Sequence, residues 1–84
     1  MNSVYKIKEV KKVLKLINTG LWLQLEGSIG RYCNDFIESG ILIKDIDKTK
    51  KNGPVKFKNG YGINVEQYLF KIDYDRLQEI NFNQ

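Results

Sequence analysis

At 84 residues, with 42% hydrophobic and 29% charged side chains and a formal charge of +4, the chain has the composition of one small globular domain with a modest core. No apolar run is long enough to span a membrane, and the charged start MNSVYKIKEVKKVLKLI lacks the uninterrupted apolar stretch and cleavage site of a secretory signal, so a cytoplasmic protein with no membrane partner is expected. One cysteine, Cys33, and no histidine exclude an internal disulfide and remove the commonest metal ligand and general base, so no catalytic residue, metal or cofactor is expected.

In chain order, Val10, Val13, Leu14 and Ile17 fall at i, i+3, i+4 and i+7, with Ile7 one turn earlier. This spacing predicts an amphipathic helix from about Val4 to Asn18, N-capped by Ser3 and closed by a left-handed Gly20. Lys8, Lys11, Lys12 and Lys15 lie off the apolar stripe and read as a solvated face. Leu21-Trp22-Leu23-Gln24-Leu25 alternates like a strand but also fits one compact helical turn, and Trp22 belongs in the core on size alone. Gly27-Ser28-Ile29-Gly30 reads as a turn, with Ser28 capping a helix from about Ile29 to Ser39. That helix has Ile29, Tyr32, Cys33, Phe36 and Ile37 on one stripe and exposes Arg31, Asn34, Asp35 and Glu38. Gly40 ends it.

A strand over Ile41–Ile46 is expected to pair with one over Gln67–Ile72. Between them a hairpin-like wing spans about Asp47 to Val65. Asn52-Gly53 and Asn59-Gly60 are strong reverse-turn signals, Pro54 suits a sheet edge, and Val55 and Phe57 alternate with Lys56 and Lys58. A short helix capped by Asp73 or Asp75, with Leu77 and Ile80 facing inward, closes the chain over Tyr74–Phe82.

Charge follows this organisation unevenly. Residues 1–15 hold five lysines against Glu9, and residues 44–60 hold six lysines against Asp45 and Asp47, a net +4 in each block. The two intervening and trailing blocks, 16–43 and 61–84, are each −2. A two-part positive surface and plain solubility charge in a Lys-, Ile- and Asn-rich composition both account for this pattern.

The phrases FIESGILIKD and QYLFKIDYDRLQEI together resemble the winged-helix domains of phage and plasmid replication initiators and related small regulators. The likeness covers roughly the C-terminal half. It implies an α+β winged-helix-like domain with an N-terminal amphipathic helix, a short middle helix, a β-hairpin wing and a short C-terminal helix. By position, Arg31 and Asn34 would belong to the recognition helix, and Lys48, Lys50, Lys51, Lys56 and Lys58 to a wing on the phosphate backbone. The departure is that only nineteen residues separate Gly20 from Gly40, short for the two helices a helix-turn-helix places before its wing.

Enzymatic readings fail on inventory. The serines and Cys33 have no histidine to activate them, and Cys33 sits on an apolar stripe. The pairs Asp45/Asp47 and Asp73/Asp75 read as strand-end aspartates or helix caps rather than metal ligands. Gly27-Ser28-Ile29-Gly30 has the form of a KH-type GXXG loop but holds no basic residue between its glycines. Tyr61, after an Asn-Gly turn, is a candidate for stacking on unpaired bases, whereas Phe57 reads as an anchor. Two functions follow as expectations: a phage- or mobile-element-type regulator that binds nucleic acid, duplex DNA first, through Arg31, Asn34, Lys48, Lys50, Lys51, Lys56, Lys58 and Tyr61; or a non-enzymatic interaction protein that docks on an acidic-surfaced host protein or nucleoprotein complex. The wing and flat strands are also of a kind that forms homodimers, though no interface is specified.

Overall fold

The computed structural model describes residues 5–82, and the expected cap at Ser3 lies outside them. It is an α+β arrangement of four α-helices, one 3-10 turn and two small antiparallel sheets.

Helix α1 runs Ile7–Asn18 and buries Val10, Val13 and Ile17, one residue per turn of its apolar stripe. Ile7, at the helix start, is 43% exposed and not part of the core. Gly20 follows in the left-handed region at φ +80°, as the sequence suggests. Any side chain there would also meet the Phe57 ring, because a Cβ would stand 2.5 Å from Phe57 Cγ. The Leu21–Leu23 segment resolves as a 3-10 turn, not a strand. Trp22 is half-buried, and its indole Nε1 donates to Gln67 Oε1 at 3.0 Å.

Helix α2, Gly27–Glu38, starts two residues before Ile29. Glu26 is the N-cap residue, so Ser28 does not cap and Gly27–Gly30 is the first helical turn rather than a phosphate-holding loop. Gly30 lets the helix approach the 3-10 turn, since a Cβ there would lie 3.3 Å from the Trp22 carbonyl oxygen. Gly40, at φ +85°, ends the segment, and Arg76 Nε donates to the Ser39 carbonyl at 2.9 Å. A guanidinium at a helix C-terminus satisfies an orphan carbonyl and opposes the helix dipole.

Strand β1, Leu42–Lys44, pairs with the later strand β4, Phe70–Ile72, in the register Leu42↔Ile72, Ile43↔Lys71 and Lys44↔Phe70. The expected pairing is present over a narrower range. The outer edge of β4 is closed by Asn18, whose Oδ1 accepts from Phe70 N at 2.8 Å and whose Nδ2 donates to Phe70 O at 3.0 Å. One amide side chain thus takes the place of a strand partner.

The segment after β1 corrects the sequence reading. Ile46–Asn52 is a helix, α3, and not part of a wing hairpin. Asp45 Oδ1 caps it by accepting from Lys48 N at 3.0 Å. Thr49 Oγ1 donates to Asp45 O and accepts from Leu69 N at 2.9 Å, which ties α3 to the chain just before β4. Gly53 closes α3 at φ +84°, so Asn52-Gly53 is a helix stop and not a hairpin turn. The hairpin itself is β2, Val55–Lys58, against β3, Asn64–Gln67. The expected strand Gln67–Ile72 is therefore broken: Gln67 belongs to β3, and Tyr68-Leu69 links it to β4. Helix α4, Tyr74–Phe82, is capped by Asp73, whose Oδ1 accepts from Arg76 N at 3.0 Å.

The core gathers Val10, Val13 and Ile17 with Cys33 and Phe36 of α2, Ile41, Leu42 and Leu77. Tyr5 and Tyr32 pack edge-on to Phe36, each with centroids 5.2 Å apart. No polar or charged side chain among the described residues is buried, so hydrophobic burial carries the fold.

Candidate functional site

Two surfaces emerge from this scaffold, and the residues singled out in the sequence divide between them. The first is a run of exposed lysines on consecutive elements. Lys48, Lys50 and Lys51 project from α3, and Lys56 and Lys58 from the outer face of β2, where they alternate with the inward Val55 and Phe57. Placing the first three on a helix shifts them off the hairpin but keeps them one Gly-Pro step from β2. Opposite Lys56 and Lys58 across the hairpin stand Glu66 and Asn64. Among the described residues the one ion pair within 4 Å is Arg76–Glu79, so none of these five ammonium groups is engaged by a carboxylate at that range.

The second surface is a cleft of about 820 Å³ between the 3-10 turn, the outward face of α2 and the hairpin tip. Arg31, Asn34 and Tyr61, far apart in sequence, meet here, while the five lysines do not line it. Its lining includes the apolar Trp22, Leu23 and Leu25 and the acidic Glu26 and Asp35. The lining thus holds two carboxylates and one guanidinium. Arg31 and Asp35 are four residues apart on α2, the spacing of a helical ion pair. They do not form one. The Arg31 guanidinium instead lies over Gly27, with Nη1 3.3 Å from where a Cβ would stand. Asn34 Nδ2 donates along the helix to Glu38 Oε1 at 3.1 Å.

The hairpin tip is held firmly at this cleft. Gly60 N donates to Leu23 O at 2.9 Å and Gln24 Nε2 donates to Lys58 O at 2.9 Å, while at the far end of the hairpin Gln67 Nε2 donates to Ile17 O at 2.7 Å. Asn59 Oδ1 accepts from both Tyr61 N and Ile63 N, an Asx-type turn that fixes the tip from inside. Tyr61 is nonetheless 90% exposed. A rigid backbone thus presents a bare aromatic ring. The Asn59-Gly60 turn and the exposed Tyr61 match the sequence reading, and Phe57 is the anchor beneath them.

Cys33 in the core and the partly exposed Tyr32, both outside the two surfaces, titrate away from their ordinary values. Burial pushes the Cys33 thiol up from its ordinary value, so it stays protonated at neutral pH. Partial burial, then hydrogen bonding to and the charge of Glu9, push the Tyr32 phenol up to about 12. Among the described residues, no three His, Cys, Asp or Glu side chains gather closely enough to hold a metal ion. No described helix is long and apolar enough to cross a membrane. The lysine run was legible from composition, whereas the cleft was not, because the 3-10 turn, α2 and the hairpin tip meet only in the fold. No known protein family, characterised protein or solved structure matches the chain.

Proposed function

We propose that the protein is a small nucleic-acid-binding regulator with a winged-helix-like frame, which grips the phosphate backbone of duplex DNA through Lys48, Lys50, Lys51, Lys56 and Lys58. The observation that carries this reading is the set of five exposed, unpaired ammonium groups on the adjacent elements α3 and β2. Lysines on such a surface displace condensed counterions from DNA, which supplies affinity without base reading. The order α2, β1, α3, β2, β3, β4 keeps a strand, a hairpin and a strand after α2, with α3 inserted before the hairpin, and this much of the order supports the winged-helix comparison. The Leu21–Leu23 turn, only three residues long where a positioning helix would stand, supports backbone contact over sequence readout. That same short turn favours a second reading, in which the frame serves as a docking module on a partner protein.

Fluorescence anisotropy with a labelled generic duplex tests the first reading. The parent chain should bind at low salt and weaken steeply with added salt, and the variant K48A/K50A/K51A/K56A/K58A should lose binding while keeping its circular dichroism. Equal binding by the folded variant would refute the assignment.

A further inference from the structure

The cleft between the 3-10 turn, α2 and the hairpin tip has no part in backbone contact by the lysines, yet it joins three elements in one open concavity. Its volume of about 820 Å³ is of the size of clefts that hold small ligands, roughly 300–1,000 Å³. Its walls are fixed by Gly30 against the Trp22 carbonyl and by Gly60 N on Leu23 O. Two apolar side chains remain bare at it, Leu25 at 44% and Tyr61 at 90% exposure. A solvent-facing aromatic beside apolar lining is the arrangement that anchors protein contacts.

Charge decides the occupant. The chain is +4 overall, but this cleft sets Glu26 and Asp35 against Arg31 alone. Arg31 lies over Gly27, and among the described residues the Asp35 carboxylate has no ion-pair partner within 4 Å. Phosphate groups meet net repulsion here. A second copy of the chain docking cleft on cleft would oppose carboxylate to carboxylate. We infer that the cleft is a docking site for a short segment of a partner protein that combines an apolar or aromatic anchor with Lys or Arg. The anchor packs on Trp22, Leu25 and Tyr61, and the cation pairs with Asp35. The protein then carries two surfaces of opposite sign, and a partner with a basic segment occupies the one that nucleic acid avoids. This inference stands apart from the lysine surface and does not depend on it.

The test is selection of displayed random heptapeptides on the immobilised full chain. Enriched sequences should carry Leu, Met, Phe or Trp within a few residues of Lys or Arg. An enriched peptide added to the labelled protein should move the amide signals of Leu25, Asp35 and Tyr61. Tyr61→Ala, at a side chain outside the core, should weaken that peptide roughly tenfold, and Asp35→Lys by a similar factor. Asp35→Lys should also turn the selection towards acidic peptides. The five-lysine variant should bind the peptide as the parent does, which separates this outcome from any result with duplex. Failure to enrich any sequence, enrichment of acidic peptides by the parent, or peptide binding indifferent to both substitutions would overturn the inference. Stronger shifts of the cleft amides with a single-stranded oligonucleotide would overturn it too and reassign the cleft to bases.

Discussion

Replacing Gly20 by alanine probes the joint that sets the hairpin against the helical core. The backbone there sits at φ +80°, where an alanine is disfavoured by about 1–2 kcal/mol. The added methyl also stands 2.5 Å from both Cγ and Cδ1 of Phe57, a separation that side chain and ring cannot share. Phe57 must leave its half-buried seat, forfeiting roughly half of the 3–5 kcal/mol that a buried Phe→Ala costs. The combined loss is about 3 kcal/mol, a large share of the total for a chain this size. At about 4–8 °C per kcal/mol, Tm falls by roughly 12–24 °C. Gly53 supplies the control, since it has φ +84° with nothing within 4 Å of its would-be Cβ. Gly53→Ala should therefore cost only the backbone term, about 1–2 kcal/mol. Denaturant melts of both variants, repeated in a Phe57→Ala background, isolate the contact. In that background Gly20→Ala should drop to the Gly53→Ala value. Equal losses for Gly20→Ala and Gly53→Ala with Phe57 present would refute the docking of β2 on the end of α1.

Asn18→Ala removes both hydrogen bonds to the Phe70 backbone and should cost about 2–3 kcal/mol, with faster hydrogen exchange at the Phe70 amide as its local signature. The raised Tyr32 phenol holds its proton more tightly folded than unfolded. Its contribution is thus fully present below pH 10.0 and is lost as pH climbs through about 12; the Tyr32 ring-carbon shift should titrate near pH 12, and Glu9→Gln should lower that midpoint. Cys33, buried and shifted towards the thiol, should react with a disulfide reagent only as fast as the protein opens, with the rate rising alongside denaturant-induced unfolding.

Much of the helical frame is readable from spacing because amphipathic stripes record burial directly. Val10, Val13 and Ile17 and the Cys33–Phe36 pair announce one face each, and left-handed glycines at 20 and 40 mark the stops. Helix α3 escapes that logic. Seven residues with no buried side chain leave no stripe to detect, and its Lys and Asn content reads as loop. Its signal lies in the caps, Asp45 three residues before Lys48 and Gly53 at the end. The break between β3 and β4 leaves only a faint mark, the apolar run Tyr68-Leu69-Phe70, across which the inward positions switch from Val65 and Gln67 to Phe70 and Ile72. It comes from a tertiary bond, Leu69 N to Thr49 Oγ1, that no local pattern records. Of the candidate site, the lysines follow from composition, and the convergence of Arg31, Asn34 and Tyr61 needs the fold.

Under the proposed function, five lysines on α3 and β2 meet DNA phosphates, and the salt dependence of duplex affinity tests this most directly. If all five neutralise phosphates, log K should fall with log salt at a slope of about −4.5, or roughly 500-fold between 50 and 200 mM. Each lysine-to-alanine change should flatten that slope by about 0.9. A slope near zero, or one unchanged in the five-lysine variant, would contradict the claim.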